Sequence, residues 1–266
     1  MMMKPKVLMT NDDGINAPGI RSLWYALKDI ADVTVIAPAQ EQSATSLSIT
    51  LRQPLMIQKQ TWDGKNNIYS VTGTPADCVK MGISVILDSE PDLVVSGINR
   101  GTNAGRNLLY SGTVAGCIEA ALHGLPAIAF SCHDYWETDY TAAQEHVPNI
   151  FSHVLDHPLP KGTLLNVNFP SKELEGIKGY KMTRQGKEYW KEDPAERSHP
   201  AENHSYYWLG ARLQEFDEPE ESDVRWLKNG YITAVPIHVD ELTDHEQLKL
   251  RRDHFEGMFG REEVTP

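Results

Sequence analysis

The feature that most restricts the fold lies near the N-terminus. Lys6-Val7-Leu8-Met9-Thr10 is a short apolar run of strand character, and Asn11-Asp12-Asp13-Gly14 stops it. Pro18-Gly19 then precede a segment in which Ile20, Leu23, Trp24, Leu27 and Ile30 recur at i, i+3, i+4, i+7 and i+10, one face of a helix. Val33-Thr34-Val35-Ile36-Ala37 reads as a second strand, ended by Pro38. Strand, helix and strand in so short a span make a βαβ unit, and that unit calls for a parallel sheet.

The alternation continues. Leu51 to Ile57 and Ile68 to Val71 read as strands with a turn at Asp63-Gly64, and Ala76 to Leu87 as a helix carrying Val79, Ile83, Ile86 and Leu87. Asp92 to Ser96 is a buried-type strand, Ser111 to His123 a helix ended by Gly124, and Pro126 to Ser131 a strand. Thr141 to Asp156 is a helix and Thr163 to Val167 a strand. The expected fold is α/β: a Rossmann-like, mostly parallel sheet with helices on both faces. After Pro170 the character changes. Residues 176 to 235 are rich in Trp, Tyr and charge without a helical period. Tyr180 to Arg184 and Tyr206 to Leu209 suggest β-hairpin arms, Tyr231 to Val235 a strand, and Thr243 to Phe259 a terminal helix. The expected division is a core over residues 1–175 and, over 176–266, extended arms, a last strand and a C-terminal helix. Aromatic arms pack either on another subunit or back on their own domain.

Composition narrows the partners. The 266 residues allow one large α/β domain, or one with a substantial insertion. A net charge of −12 argues against a nucleic-acid polymer, whose backbone is held by clustered Lys and Arg. From Lys187 to Asp223 eleven acidic residues face four basic ones, the pattern of a solvated face. No apolar run reaches the roughly 18 residues of a membrane span, and Met1 to Lys6 lack the features of a signal peptide, so a cytoplasmic protein is expected. Cys78, Cys117 and Cys132 form no disulfide framework and read as reduced thiols; Cys132-His133, at a strand end, has the alternative of lining a site.

Ligands of open parallel sheets bind at the carboxyl ends of the strands. Four polar segments collect there: Asn11-Asp12-Asp13-Gly14, Gln40 to Thr45, Gly73-Thr74-Pro75-Ala76-Asp77, and Ser96 to Thr113. Adjacent carboxylates at a strand end repel each other, and burial raises that cost. A divalent cation removes it, and oxygen-only ligands suit Mg²⁺, Mn²⁺ or Ca²⁺. Asp12, Asp13, the Ser43 hydroxyl and the Asn99 amide oxygen make such a set; the competing reading of Asp-Asp-Gly is a plain turn. Ser111-Gly112-Thr113 opens a helix, where free N–H groups bind phosphate or hydroxyls simply cap. Gly73-Thr74-Pro75 has the same two readings, a turn with Pro at the first helical position or an oxyanion contact. His133, Arg100 and Arg106 are further site candidates, or surface residues. The histidines show no metal-ligand spacing, and G-x-x-x-x-G-K-[ST], G-x-G-x-x-G and G-x-S-x-G motifs are absent.

These segments resemble the SurE family, the stationary-phase survival-protein nucleotidases. The matching runs are Thr10 to Ile15 with Ala17 to Ile20, Ala37-Pro38 with Gln42 to Thr45, Thr72 to Val79, Pro91 to Asn99 with Gly101, Asn103 and Gly105, and Tyr110 to Val114. Thinner matches follow at Asn166 to Pro170, Thr183 to Gln185, Tyr206 to Trp208 and Gly230 to Ile232. The resemblance implies a Rossmann-like core and hydrolysis of nucleoside monophosphates with one divalent metal, Mg²⁺ or Mn²⁺, per subunit. It implies metal ligands at Asp12, Asp13, Ser43 and Asn99, with catalysis at the two aspartates. Phosphate contacts fall at Asn11, Asn103, Ser111, Gly112 and Thr113, and further substrate contacts at Gly73, Thr74 and Ser96. It also implies dimers or tetramers formed by exchange of C-terminal elements. The rival readings are a nucleotide-binding regulator without catalysis and, because the motif is Asp-Asp rather than D-x-D, less readily an aspartyl-phosphate enzyme.

Overall fold

Apolar strands alternating with one-sided helices build a single large sheet. The structure is a computed structural model and describes residues 3–258. Its first unit is strand β1 (Lys6–Thr10), helix α1 (Pro18–Leu27) and strand β2 (Asp32–Pro38). Pro18 starts α1 at a position that needs no N–H, and Gly19, Ile20, Leu23, Trp24 and Leu27 form its buried face. Ile30, expected on that face, is 40% exposed because the helix ends at Leu27.

Next come β3 (Ile57–Trp62), β4 (Lys65–Val71) and α2 (Pro75–Met81). The strand expected from Leu51 begins only at Ile57: Pro54 cannot donate to a ladder, and Leu51 and Met56 lie open to solvent. Asp63 and Gly64, both at positive φ, make the hairpin turn. The helix expected to run to Leu87 is α-helical to Met81 and continues as one wider π turn over Gly82–Ile86. There Gly82 lies against Leu8 and Ile36, and a Cβ on it would stand 2.4 Å from the Leu8 side chain.

β5 (Leu93–Asn99), α3 (Gly112–Leu122), β6 (Ala127–Cys132), α4 (Thr141–Asp156) and β7 (Thr163–Phe169) follow as expected, with the two later strands buried along their whole length. The C-terminal part holds β8 (Tyr180–Met182), β9 (Tyr189–Lys191), β10 (Ala195–Ser198), β11 (Ser205–Trp208), β12 (Arg212–Gln214), α5 (Asp223–Lys228), β13 (Ile232–His238) and α6 (His245–Glu256). The terminal helix expected to reach Phe259 is thus seen to Glu256, and Phe259 lies outside the described residues. β10–β11 and β9–β12 are antiparallel pairs separate from the main sheet. Tyr180 to Arg184, expected in an arm, instead supplies β8, which pairs parallel to β13 at the edge of the main sheet.

The main sheet has nine strands in the order β3-β4-β2-β1-β5-β6-β7-β13-β8. The six from β4 to β7 are parallel, whereas β3 and β13 run antiparallel to their core neighbours. One face packs on α1 and α4 around Trp24, Phe130, Phe151 and Phe169; the other packs on α2 and α3 around Leu8, Val94, Val114 and Cys117. Among the described residues no helix is long and apolar enough to cross a membrane. The chain winds from β1 outward to β2, then returns to β5 on the other side of β1. That reversal opens a crevice between the carboxyl ends of β1 and β5.

Gly19 shows how tightly α1 seats against this crevice. A Cβ there would stand 2.0 Å from the Ile98 carbonyl oxygen. Helix propensity alone favours Ala over Gly by about 1 kcal/mol, but overpacking against backbone costs about 1–3 kcal/mol or more. Gly19→Ala therefore lowers the urea midpoint of unfolding instead of raising it.

Candidate active site

The crevice is built from three directions. From β1 come Asn11 and Asp12, both buried, and half-buried Asp13. Gly14 turns the chain away at φ +95°, aided by the Asn11 Nδ2 donation to the Gly14 carbonyl at 2.9 Å. From β5 comes Asn99, whose Nδ2 donates to the Gly101 carbonyl at 2.8 Å and so leaves Oδ1 as the acceptor. Arg100 follows, its backbone N–H donating to Asp13 Oδ2 at 3.2 Å. From the side comes α3. Ser111 caps it by accepting the Val114 N–H at 3.1 Å, and the Thr113 hydroxyl donates to Asp12 Oδ1. The approach is close enough to require glycine, because a Cβ on Gly112 would stand 2.7 Å from Asp12 Cβ.

The loop after β2 closes the fourth side. The Gln42 N–H donates to the Asp12 carbonyl at 2.7 Å. Ser43 is exposed and donates its hydroxyl to Glu41 Oε1 at 2.7 Å; Glu41 in turn meets the Arg100 guanidinium at 3.5 Å. Of the four expected metal ligands, Asp12, Asp13 and Asn99 therefore converge at the sheet reversal, and Ser43 stands in the adjoining loop.

Electrostatics show what the carboxylates lack. Burial, with the neighbouring Asp13 charge, pushes the Asp12 carboxyl up to about 7, although the Thr113 hydroxyl and nearby N–H groups oppose the shift. Burial also raises Asp13, against the opposing effect of Arg100. Among the described residues no Lys or Arg side chain forms an ion pair with either carboxylate. Asn11 Oδ1 is also buried without a partner. Two carboxylates, an amide oxygen and a nearby hydroxyl fit a hard divalent cation, which would repay the desolvation of both acids.

Other candidates have different places. Asn103 is a braced part of the loop between β5 and α3: its N–H donates to Asn168 Oδ1 at 2.8 Å, its Nδ2 to Ser131 Oγ at 2.8 Å, and its carbonyl accepts from Asn166 at 2.9 Å. Ser96 is wholly buried beneath Gly116 of α3, so its expected role as a substrate contact is corrected to one inside the sheet. Thr74 is likewise committed elsewhere. It forms a capping box with Asp77, and its hydroxyl donates to the Ser48 carbonyl at 2.6 Å. Gly73 is packed against that Asp77 carboxylate. Of the two readings of this turn, the structure displays the capping one. Arg106 turns to the arms, its N–H on the Glu188 carbonyl at 2.9 Å and its guanidinium over Phe216. Cys132 is buried and its thiol is pushed far up by burial, as expected of an inert cysteine.

Sequence reading missed several supports. Asn166 and Asn168 share one face of β7, a period of two in polar residues that marks a strand serving a site. Asp223 is fully buried and accepts N–H groups from Gly105, Gly186 and Val224 at 3.0, 2.7 and 2.7 Å, tying the arm root to the loop before α3. The reading of scattered histidines needs one correction. His199 and His204 stack across the β10–β11 hairpin with Glu202 beside them, near enough to share a cation. This group lies on an arm, and His199 Nδ1 is already occupied by the N–H groups of Ala201 and Glu202.

The Asp12 shift has a measurable consequence. In metal-free protein the folded state holds this proton up to about pH 7, whereas the unfolded chain releases it near 3.8. Its stability contribution is complete below the unfolded value and is lost as pH rises through the folded one. Between pH 5 and 8, EDTA-treated protein loses about 2–3 kcal/mol more stability in urea than does Asp12→Asn. Mn²⁺ or Mg²⁺ restores it at pH 8.

The family described as Survival protein SurE matches residues 7–192. A protein of Protochlamydia amoebophila named 5′-nucleotidase SurE is 52% identical over 257 residues, covering 96% of this chain and 98% of its own length. One of the same name from Flavobacterium psychrophilum is 42% identical, covering 92% and 95%. The crystal structure of the SurE protein from Aquifex aeolicus superposes with a TM-score of 0.82 at 38% identity, covering 94% of this chain and all of that one. With the aspartate pair at the sheet reversal and similarity along nearly its whole length, the chain belongs to the SurE family.

Proposed function

We propose that this chain is a divalent-metal-dependent phosphomonoesterase that hydrolyses nucleoside 5′-monophosphates to nucleoside and phosphate. Nucleoside 3′-monophosphates and short polyphosphate are further substrates. The observation that carries this reading is a pair of adjacent carboxylates, buried Asp12 and half-buried Asp13, without a paired cationic side chain among the described residues, with Asp12 held by Thr113 at the start of α3. The names of the relatives, 5′-nucleotidase, support it. Asp12, Asp13, Asn99 and Ser43 would hold one cation per subunit, Mg²⁺ or Mn²⁺. When bound, it supplies Lewis-acid polarisation of the phosphoryl group and a lowered pKa for the attacking water.

The chain's own groups do the rest. Thr113 holds Asp12 in one orientation through its hydroxyl. The first turn of α3 presents N–H groups and the positive end of the helix dipole to phosphoryl oxygens. Asn103, immobilised by Asn166, Asn168 and Ser131, lines the same edge. One of the two aspartates takes the proton of the attacking water. Residues 1–175 carry this machinery. The three free, buried thiols fit a reducing cytoplasm. A nucleotide-binding regulator has no use for the intact acidic pair and is the weaker reading.

EDTA-stripped protein given Mn²⁺ or Mg²⁺ releases phosphate from AMP. Asp12→Asn and Asp13→Asn each reduce kcat by about a thousandfold or more, while circular dichroism and thermal unfolding show a folded protein. Nucleotide binding without phosphate release by the wild type, or full activity in both variants, would overturn the reading.

Residues 176–266 serve self-association as a dimer or tetramer. Tyr207, Trp208 and Leu209 are 64%, 66% and 71% exposed on β11 and just beyond it, an apolar patch that a second copy would cover. The double variant Trp208→Arg, Leu209→Asp sediments as a smaller species than the wild type.

A further inference from the structure

Accepting the nucleotidase reading above, we propose that Tyr135 and Trp136 form the stacking surface for the nucleobase of the substrate. They sit on the loop that follows β6, the strand beside β5 in the sheet, with Ser131 in register with Asn99. Tyr135 lies over the Arg100 guanidinium at 4.6 Å from its ring centroid. A Cβ on Gly101 would stand 3.2 Å from the same ring. Arg100 is also the residue whose N–H holds Asp13. Tyr135 is therefore one residue removed from Asp13, and Trp136 packs on its outer side. Neighbouring strands lie about 4.8 Å apart, so the loop stands roughly 5–10 Å along the sheet edge from the crevice, the interval between the phosphate and base of a mononucleotide.

The loop is braced, so the exposure of its rings belongs to a set conformation. The Thr138 hydroxyl donates to the Asp134 carbonyl at 2.7 Å, the Lys172 N–H to Asp134 Oδ2 at 2.9 Å, and Lys172 Nζ meets Glu137 at 3.2 Å. At the far end Tyr140 packs beside Gly19. On this frame Trp136 is 90% and Tyr135 46% exposed, with the rings edge to face at 5.0 Å. Tryptophan is among the more buried residues on average, and an indole held out beside a phosphate site suits a flat aromatic ligand tethered to that phosphate. Stacking on a π face serves every base. Tyr110, directly before Ser111, is also exposed, at 58%, and among the described residues no aromatic ring or cation packs on it.

Steady-state kinetics of the full-length, Mn²⁺-loaded protein with AMP and with ribose 5-phosphate, which lacks the base, tests this. Trp136→Ala raises KM for AMP about tenfold, leaves kcat near wild type and does not change ribose 5-phosphate kinetics; Trp136→Phe restores most of the loss. In EDTA, AMP quenches a component of the tryptophan fluorescence that is missing from Trp136→Phe. The proposal is overturned if Trp136→Ala and Tyr135→Ala leave KM for AMP unchanged in an enzyme that hydrolyses AMP. It is equally overturned if Tyr110→Ala alone produces the rise, or if Trp136→Ala instead changes the sedimenting species, which makes the indole a contact between copies. Failure of the wild type to release phosphate from either ester strikes the nucleotidase reading itself.

Discussion

Two adjacent carboxylates at the end of β1, one buried and one half-buried, set the terms for the rest of the site. Desolvation and mutual repulsion push Asp12 toward neutrality, and no cationic side chain pairs with it among the described residues. The surroundings supply partial compensation only: a threonine hydroxyl, a few N–H groups and the positive end of α3. On the proposed reading, a bound divalent cation would offset this cost. The same cost explains why the glycines nearby are close-packed. Gly112 lets α3 reach Asp12, and Gly14 lets the loop turn under it.

Around that centre the supports lie far apart in the chain. Asn166 and Asn168 from β7 hold Asn103, and Asp223 from the C-terminal part holds Gly105. The arms are thus anchored, through Asp223, Gln185 and Glu188, to the loop that leads into α3. Anything that moves the arm root reaches that loop through fixed hydrogen bonds.

Much of the architecture was legible because its signals are local. The 3.6 period from Ile20 to Leu27, the Ser111 cap with the Gly124 stop, and the apolar runs Leu93–Val95 and Ala127–Phe130 each follow from short-range sterics and burial. The failures came where tertiary context overrode a local pattern. Leu51 to Met56 has strand-like residues, but Pro54 interrupts the ladder and only Met56 reaches Thr72 across it, leaving Leu51 and Met56 exposed. Tyr180 to Met182 resembles the arm segments, yet β13 offers it an edge to pair with.

The candidate site divides along the same line. From sequence came the residue types: adjacent aspartates after a first strand, an amide-rich stretch after a later one, and a Ser-Gly-Thr helix start. Their chemistry, oxygen donors for a hard cation and N–H groups for an anion, depends on composition and short spacing alone. Which of them meet was decided by the strand order. Placing β5 beside β1 brings Asn99 and Arg100 to Asp13, and packing α3 over that pair brings Thr113 to Asp12. The same packing sealed Ser96 beneath α3, whereas the Thr74 cap is a local box with Asp77 three residues on. No spacing in the sequence encodes the contacts made to Asp12 and Asp13, because they join residues 101 and 87 positions apart and arise only when the sheet closes around its crevice.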